Sequence, residues 1–276
     1  MSANASALNN RFTPQTPPAG SAITRNAEPS SEYAIKLAEA QGLLAQAAAQ
    51  YAGLGGAPAT VAQASSLGAE DVVISHLINA LNLDIGIFVL QTGALHQETD
   101  DLLERFKASS RATVTVYQPV ADSVVQFLAR SGKDAMYASI ALRKECCNIR
   151  KMEPLARALD GKKAWITGLR REQSGARADV PLVDSSEART KLNPLASWTW
   201  GDVWHYIAKN EVSYNPLHDQ FYPSIGCEPC TRAVSAGEDF RSGRWWWEAN
   251  LEGGAAKECG LHVKTESKSA QESAPV

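Results

Sequence analysis

From residue 59 to residue 167, short apolar runs alternate with longer segments whose apolar positions recur every three to four residues. Residues 59–64, 83–91 (LDIGIFVLQ), 112–117 (ATVTVY) and 163–167 (KAWIT) have the length and β-branched content of strands, whereas 70–81 and 98–107 carry helical spacing. Upstream, the Ala-rich stretch 32–51, with Ile35, Leu37, Leu43 and Leu44, predicts a helix ended by Gly53, Gly55 and Gly56. Downstream, 198–209 predicts a further helix and 215–229 irregular structure. Strands separated by helices pair in parallel with helices on both faces, so the expected fold is α/β with a doubly wound, mostly parallel sheet. In such sheets ligands bind outside the carboxyl ends of the strands, which directs attention to the loops that follow them.

The ends differ from this middle. Residues 1–30 are rich in Ala, Ser, Asn, Pro and Thr, and the last dozen residues are polar, so both are expected to be disordered. The expected organisation is an extension over 1–30, a nucleotide-binding α/β domain over 31–240, and a tail over 241–276. With 276 residues, 44% hydrophobic and 21% charged, the chain has a globular composition, which excludes collagen-like and coiled-coil architectures. A net charge of −3 disfavours a general nucleic-acid binder. No apolar run reaches membrane-spanning length, and the first residues lack the pattern of a secretory signal, so a cytoplasmic protein without a membrane partner is expected.

Five cysteines are too few for a disulfide scaffold and cannot all pair. Four form one constellation: the adjacent Cys146 and Cys147, then Cys227-x-x-Cys230. Buried thiols, a zinc site and a redox pair are alternative readings. The redox reading is weak because GCEPC lies in an irregular stretch rather than at a helix start after a strand. Adjacent helical cysteines point about 100° apart, which suits separate corners of a four-iron four-sulfur cluster better than one zinc ion, so the cluster is favoured and zinc is the second choice. Cys259, in KECGLH, stands apart among charged residues and glycines. Without a core to join, and near Lys257 and His262, its thiol is a candidate nucleophile on a mobile tail.

The post-strand loops supply candidate anion binders. SSLGAED offers Ser65 and Ser66 hydroxyls and a helix start, although an ordinary N-cap reads the same way, and Glu70 and Asp71 would repel an anion approaching from their side. GLRREQSGAR brings Arg170, Arg171 and Arg177 after the KAWIT strand, and Arg241 and Arg244 precede Trp245. Guanidinium forks suit phosphate and sulfate oxygens; a solvated basic surface is the plain alternative.

Together the segments SSLGAED, TGALHQET, RKECCNIRKMEPL, ITGLRREQSGAR, NPLASWTWGDVWHYI, GCEPCTR, GRWWWE and ECGLH resemble, in order over roughly residues 60–262, the bacterial assimilatory adenylyl-sulfate (APS) reductases. These form the iron-sulfur branch of the phosphoadenylyl-sulfate (PAPS) reductase family, whose fold is adenine nucleotide alpha hydrolase-like. The resemblance implies one four-iron four-sulfur cluster on Cys146, Cys147, Cys227 and Cys230, and Cys259 as the catalytic nucleophile. It further implies a substrate site of Ser65, Ser66, Leu90, Gly93, Lys151, Gly168, Arg177, Arg241 and Arg244. The implied reaction reduces adenosine 5'-phosphosulfate to sulfite and AMP through a Cys259 S-sulfonate, with thioredoxin or glutaredoxin as electron donor, in sulfate assimilation and cysteine biosynthesis. A homo-oligomer is compatible with this reading. One departure stands out: Gln91 replaces the Asp that the family usually has before Thr-Gly.

The alternatives are the same chemistry on PAPS or on both nucleotides, and a metal-stabilised nucleotide- or RNA-binding protein without catalysis. The binding-protein reading gives Cys259 no role.

Overall fold

The computed structural model describes residues 19–250, with the side chains of Ala249 and Asn250 excluded. The chain runs α1 (Ala22–Asn26), α2 (Tyr33–Gln50), β1 (Val61–Ser65), α3 (Ala69–Ala80), β2 (Gly86–Leu90), α4 (Gln97–Ser109) and β3 (Val114–Tyr117). It continues through α5 (Ala121–Ser131), α6 (Ala135–Ala138), α7 (Ile140–Cys147), α8 (Glu153–Ala158), β4 (Ala164–Ile166), β5 (Val183–Asp184), β6 (Thr190–Leu192) and α9 (Trp200–Lys209). The strands form one sheet in the order β3-β2-β1-β4-β6-β5, with every pairing parallel except β5 on β6.

The strand alternation feeds two cores. Val61, Ile87, Val89 and Ile166 face the larger one, shared with Leu44 of α2, Ile74 of α3, Leu102 of α4 and Trp204 of α9. Their neighbours Ala62, Phe88 and Trp165 face the other side, against Leu155 and Ala158 of α8. Period-two side chains buried on both faces are what a doubly wound sheet requires, and the expected fold class is observed.

Order reaches back into the stretch read as a disordered extension. Ser21 caps α1, the Ala22 N–H donates to Asp219 (2.7 Å), and Arg25 donates to the His218 carbonyl (2.8 Å). Its polar composition conceals that these bonds dock it on the segment after α9. The short strands β5 and β6 also lie outside the predicted set.

The sheet order places the topological switch point between β1 and β4, whose chains leave in opposite directions. A crevice opens there because the connections diverge. Among the described residues, no helix is long and apolar enough to cross a membrane.

Candidate active site

Two loops meet at the switch point. After β1, Leu67 adopts left-handed backbone (φ 59°) and is buried at 1% exposure, a conformation its packing must hold at a cost of about 1–2 kcal/mol. This turn leaves Ser66 exposed, and its N–H and Oγ both donate to Asp71 at 2.7 and 2.6 Å. After β4 comes Gly168, where a Cβ would lie 2.4 Å from Asp71 Oδ1. Only glycine lets the two loops close on each other.

The acids of this loop do not behave as the sequence implies. Burial drives the Asp71 carboxyl up to about 6, against the hydrogen bonds from Ser66, and the neighbouring Glu70 pushes it further up. Burial would raise Glu70 as well, but the Arg170 guanidinium, 2.8 Å away, holds it below the usual carboxylate range. Glu70 is therefore a neutralised partner, and only Asp71 carries a charge that varies near neutral pH.

Two cavities adjoin these loops and share Ser66, Asp71, Lys151, Gly168 and Ile225. One, of about 150 Å3, is walled by Phe88, Leu90, Leu155 and Trp165, with Ser65 and Thr167 at its polar end. The other, of about 160 Å3, gathers Lys151, Arg177, Arg241 and Arg244. An apolar slot joined to a cation-lined chamber suits a nucleotide base with an anionic tail. A larger cavity, of about 580 Å3, opens at the opposite, amino ends of the strands and contains none of the candidate residues.

Local contacts aim the cations. Arg177 Nη1 donates to Gln173 Oε1 (2.6 Å), Arg241 Nη1 to Ser224 Oγ (3.4 Å), and Arg244 Nη1 to the Ile225 carbonyl (3.3 Å). Arg244 also lies 4.7 Å over the Trp245 ring. Gly226 makes room for it, since a Cβ there would fall 2.2 Å from Arg244 Nη2.

Lys151 lies in a π-helical turn, Asn148–Met152, between α7 and α8. Pro154 lacks the N–H that would bond the Arg150 carbonyl in an α-helix, and its ring crowds that carbonyl, so the turn widens. Arg150 then reaches the Thr92 carbonyl (2.7 Å), and Lys151 lines the slot, the cation chamber and a third cavity beside them.

Of the expected substrate residues, Ser65, Ser66, Leu90, Lys151, Gly168, Arg177, Arg241 and Arg244 line the two chambers. Gly93 does not. Its N–H is held by Gln91 Oε1 (2.6 Å), while the Gln91 amide donates to Asp100. Gln91 thus closes its own turn, and its neighbour Thr92 lines the slot. Sequence reasoning missed Asp71, Trp165, Thr167 and Gln173; the SSLGAED and REQSGAR motifs contained two of them without revealing their contacts.

The third cavity, of about 290 Å3, has Cys146, Cys147, Cys227 and Cys230 in its walls. Among the described residues, however, no group of three or more His, Cys, Asp or Glu is placed to hold a metal ion. This corrects the expected four-iron four-sulfur cluster on these cysteines and the assignment to the iron-sulfur branch. None of the four is in a disulfide. Three of them divide between two apolar clusters, Cys146 with Phe127 and Ala135, Cys227 and Cys230 with Met136 and Trp245. Burial pushes the Cys146 thiol up and takes Cys230 to about 12, whereas ligation requires thiolates. Cys227 moves the other way, lowered in spite of burial by Lys151 and by a contact with Thr92 Oγ1 (3.3 Å). The residues present do not fit such a cluster, and no step below passes through one.

The chain beyond Trp245 is anchored by a buried ion pair. Arg143 donates to Glu248 through Nε (2.7 Å) and Nη2 (3.0 Å), with both side chains 2% exposed. Removing one partner strands the other charge, so Glu248→Ala is expected to destabilise the fold by about 3–5 kcal/mol, read from urea unfolding. A loss below 1 kcal/mol would mean that water reaches Arg143. Cys259, the expected nucleophile, lies outside the described residues.

Two buried groups beside the chamber make stability depend on pH with opposite signs. Burial depresses His218 from 6.5 to about 4, so its contribution of about 3 kcal/mol is present above pH 6.5 and lost as pH falls towards 4. Asp71, raised from 3.8 to about 6, favours the fold at low pH and loses that contribution as pH rises through 6. Between pH 6 and 4 the two oppose each other. The Asp71→Asn variant should therefore lose thermal stability more steeply over that window than the wild type, and an unchanged slope would contradict the Asp71 assignment.

Comparison with known proteins agrees with this geometry. Residues 60–233, more than half of the chain, match the phosphoadenosine phosphosulfate reductase domain. The adenosine 5'-phosphosulfate reductase of Burkholderia cepacia is 47% identical over 236 residues, which cover 85% of this chain and 90% of that protein. That of Neisseria meningitidis serogroup B is 50% identical over 202 residues, covering 72% and 80%. The crystal structure of a phosphoadenylyl-sulfate reductase from Candida auris superposes with a TM-score of 0.56 at 25% identity, over 76% of this chain and all of that one. With its switch-point crevice, its cation chamber and these matches, the chain belongs to the phosphoadenosine phosphosulfate reductase family.

Proposed function

We propose that the protein reduces adenosine 5'-phosphosulfate to sulfite and AMP through an S-sulfonate on Cys259. The carrying observation is the apolar slot joined, at Ser66 and Gly168, to a chamber that presents Lys151, Arg177, Arg241 and Arg244. The slot takes the adenosine, with the base against Phe88 and Trp165. The four cations take the phosphosulfate, and Lys151, at the junction of the cavities, carries the charge that develops on the AMP oxygen as it leaves.

The Cys259 thiolate attacks the sulfur of the sulfo group. An S–S bond forms, the bond from that sulfur to the bridging oxygen breaks, and AMP leaves with the electron pair. A thiolate of a dithiol donor, thioredoxin or glutaredoxin, then attacks Cys259 and expels sulfite; its second thiol resolves the mixed disulfide, so that two electrons pass from dithiol to sulfur. Cys259 follows Asn250 by nine residues, a tether of at most about 32 Å, and Trp245, further back, lines the chamber. Residues 241–276 act in this account as the arm that serves a nucleotide-binding unit over 31–240.

The similarity to proteins named adenosine 5'-phosphosulfate reductases favours APS over its 3'-phosphorylated form. Steady-state sulfite release with a thioredoxin system tests the choice: kcat/KM on APS should exceed that on PAPS at least tenfold. A preference for PAPS would overturn the substrate assignment, and no sulfite from either would overturn the reductase assignment.

A further inference from the structure

The Gln173 side chain has an unusually complete set of partners. Its Nε2 donates to Glu70 Oε1 (3.0 Å) and to the Gly168 carbonyl (3.1 Å). Its Oε1 accepts from the Arg170 backbone N–H (3.1 Å) and from Arg177 Nη1 (2.6 Å). An amide has two donors and two acceptor sites, and all four are used. The orientation is unambiguous, because a carboxylate and a carbonyl can only accept here, and a guanidinium and a backbone N–H can only donate. Gln173 is buried at 8% exposure.

The Glu70 carboxylate that orients this amide is itself fixed by Arg170 Nε at 2.8 Å. Arg170 is 0% exposed, donates through Nη1 to the Trp198 carbonyl (3.2 Å), and lies 5.2 Å over the Trp200 ring. A chain of contacts thus runs from the rigid start of α9 through Arg170, Glu70 and Gln173 to the Arg177 guanidinium in the cation chamber. Resting on the reductase assignment above, we propose that Gln173 is a positioning residue that fixes the Arg177 guanidinium for the phosphosulfate group. It borders the chamber, but the amide groups that would reach an anion are all taken by Glu70, Gly168, Arg170 and Arg177, so it acts through Arg177. Its carbonyl takes one Arg177 N–H, which orients the planar fork, and a preoriented fork loses less conformational freedom on binding an anion.

The test is a double-mutant cycle with two further readouts. Gln173→Met keeps the length and removes all four hydrogen bonds; it should raise KM for APS about tenfold with kcat within about twofold, as expected when binding in the ground state is lost. In the Arg177→Met background the same change should add less than about twofold, because the group through which it acts is gone. An equal effect in both backgrounds, or an unchanged KM in the single variant, would overturn the proposal. Gln173→Glu supplies an independent reading should the Met variant fail to fold. When ionised it sets a second carboxylate against Glu70; when protonated it restores an O–H donor to Glu70 and a carbonyl acceptor for Arg177. Its KM should approach the wild-type value as pH is lowered from 8 to 6, and a KM ratio to wild type that is flat with pH would count against the proposal. Wild-type turnover separates the two assignments: absence of sulfite from APS in the parent protein contradicts the reductase reading, whereas normal parent turnover with an unaltered Gln173→Met variant contradicts only the role of Gln173.

Discussion

Replacing Cys259 with Ser should abolish sulfite formation altogether while leaving nucleotide binding intact. The loss is expected to be complete for two chemical reasons. A serine hydroxyl is hardly ionised near neutral pH, so attack on the sulfo group is slow. Were it to occur, the product would be a sulfate ester, with sulfur joined to oxygen and no S–S bond for a dithiol to cleave. Since Cys259 lies beyond the residues that build the two chambers, AMP should protect the variant against thermal unfolding as it protects the parent. Residual turnover above about 1% would show that another group, such as a thiol of the third cavity, performs the attack.

The second large effect is expected at Lys151. It borders the nucleotide slot, the cation chamber and the thiol-lined cavity, a position shared by none of the three arginines. In the proposed reaction charge develops at that junction as AMP departs, and a preorganised cation there would be worth most in the transition state. Lys151→Ala should lower kcat/KM by about 10²–10³-fold, mainly through kcat. Arg177→Ala and Arg241→Ala, which line the cation chamber and neither of the other two cavities, should act more on KM. Because Lys151 is only half-buried, the midpoint of thermal unfolding should move little. A Lys151→Ala variant that binds APS weakly yet turns it over at the parent's kcat would assign the residue to ground-state binding instead.

Much of this site was legible in the sequence because it depends on local pattern. β1, β2, β3 and β4 were marked by apolar runs, and α2, α3, α4 and α9 by helical spacing; the loops at Ser65 and Gly168 follow from them through the rule that ligands bind at strand carboxyl ends. Basic residues in those loops and before Trp245 pointed to an anion. What the sequence concealed was long-range pairing. Glu70 and Asp71 looked like repulsive acids until Arg170, a hundred residues on, was seen to neutralise one, and burial was seen to raise the other. Gln173 carried no signal, since its value lies in four partners from three segments. The residues around Ala22 looked disordered because their anchors, Asp219 and the His218 carbonyl, lie some two hundred positions away.

The cysteines show the same limit. Spacing brought four of them to one cavity, and that proximity holds. Spacing did not reveal that Cys146 packs with Phe127 while Cys227 and Cys230 pack with Met136, nor that, among the described residues, no three such side chains are placed to hold a metal ion. In the reaction proposed above, the arginines and Lys151 hold and polarise the phosphosulfate, Cys259 is the nucleophile, and the electrons come from the dithiol donor.

The most direct test of that account is to incubate the reduced protein with APS carrying labelled sulfur, without any thiol donor, and to map the label by peptide mass spectrometry. The account predicts one sulfo group per chain, on Cys259, formed together with AMP and released as sulfite when thioredoxin is added. Sulfite produced on thioredoxin addition with no label ever found on Cys259, or label confined to another cysteine, would contradict it.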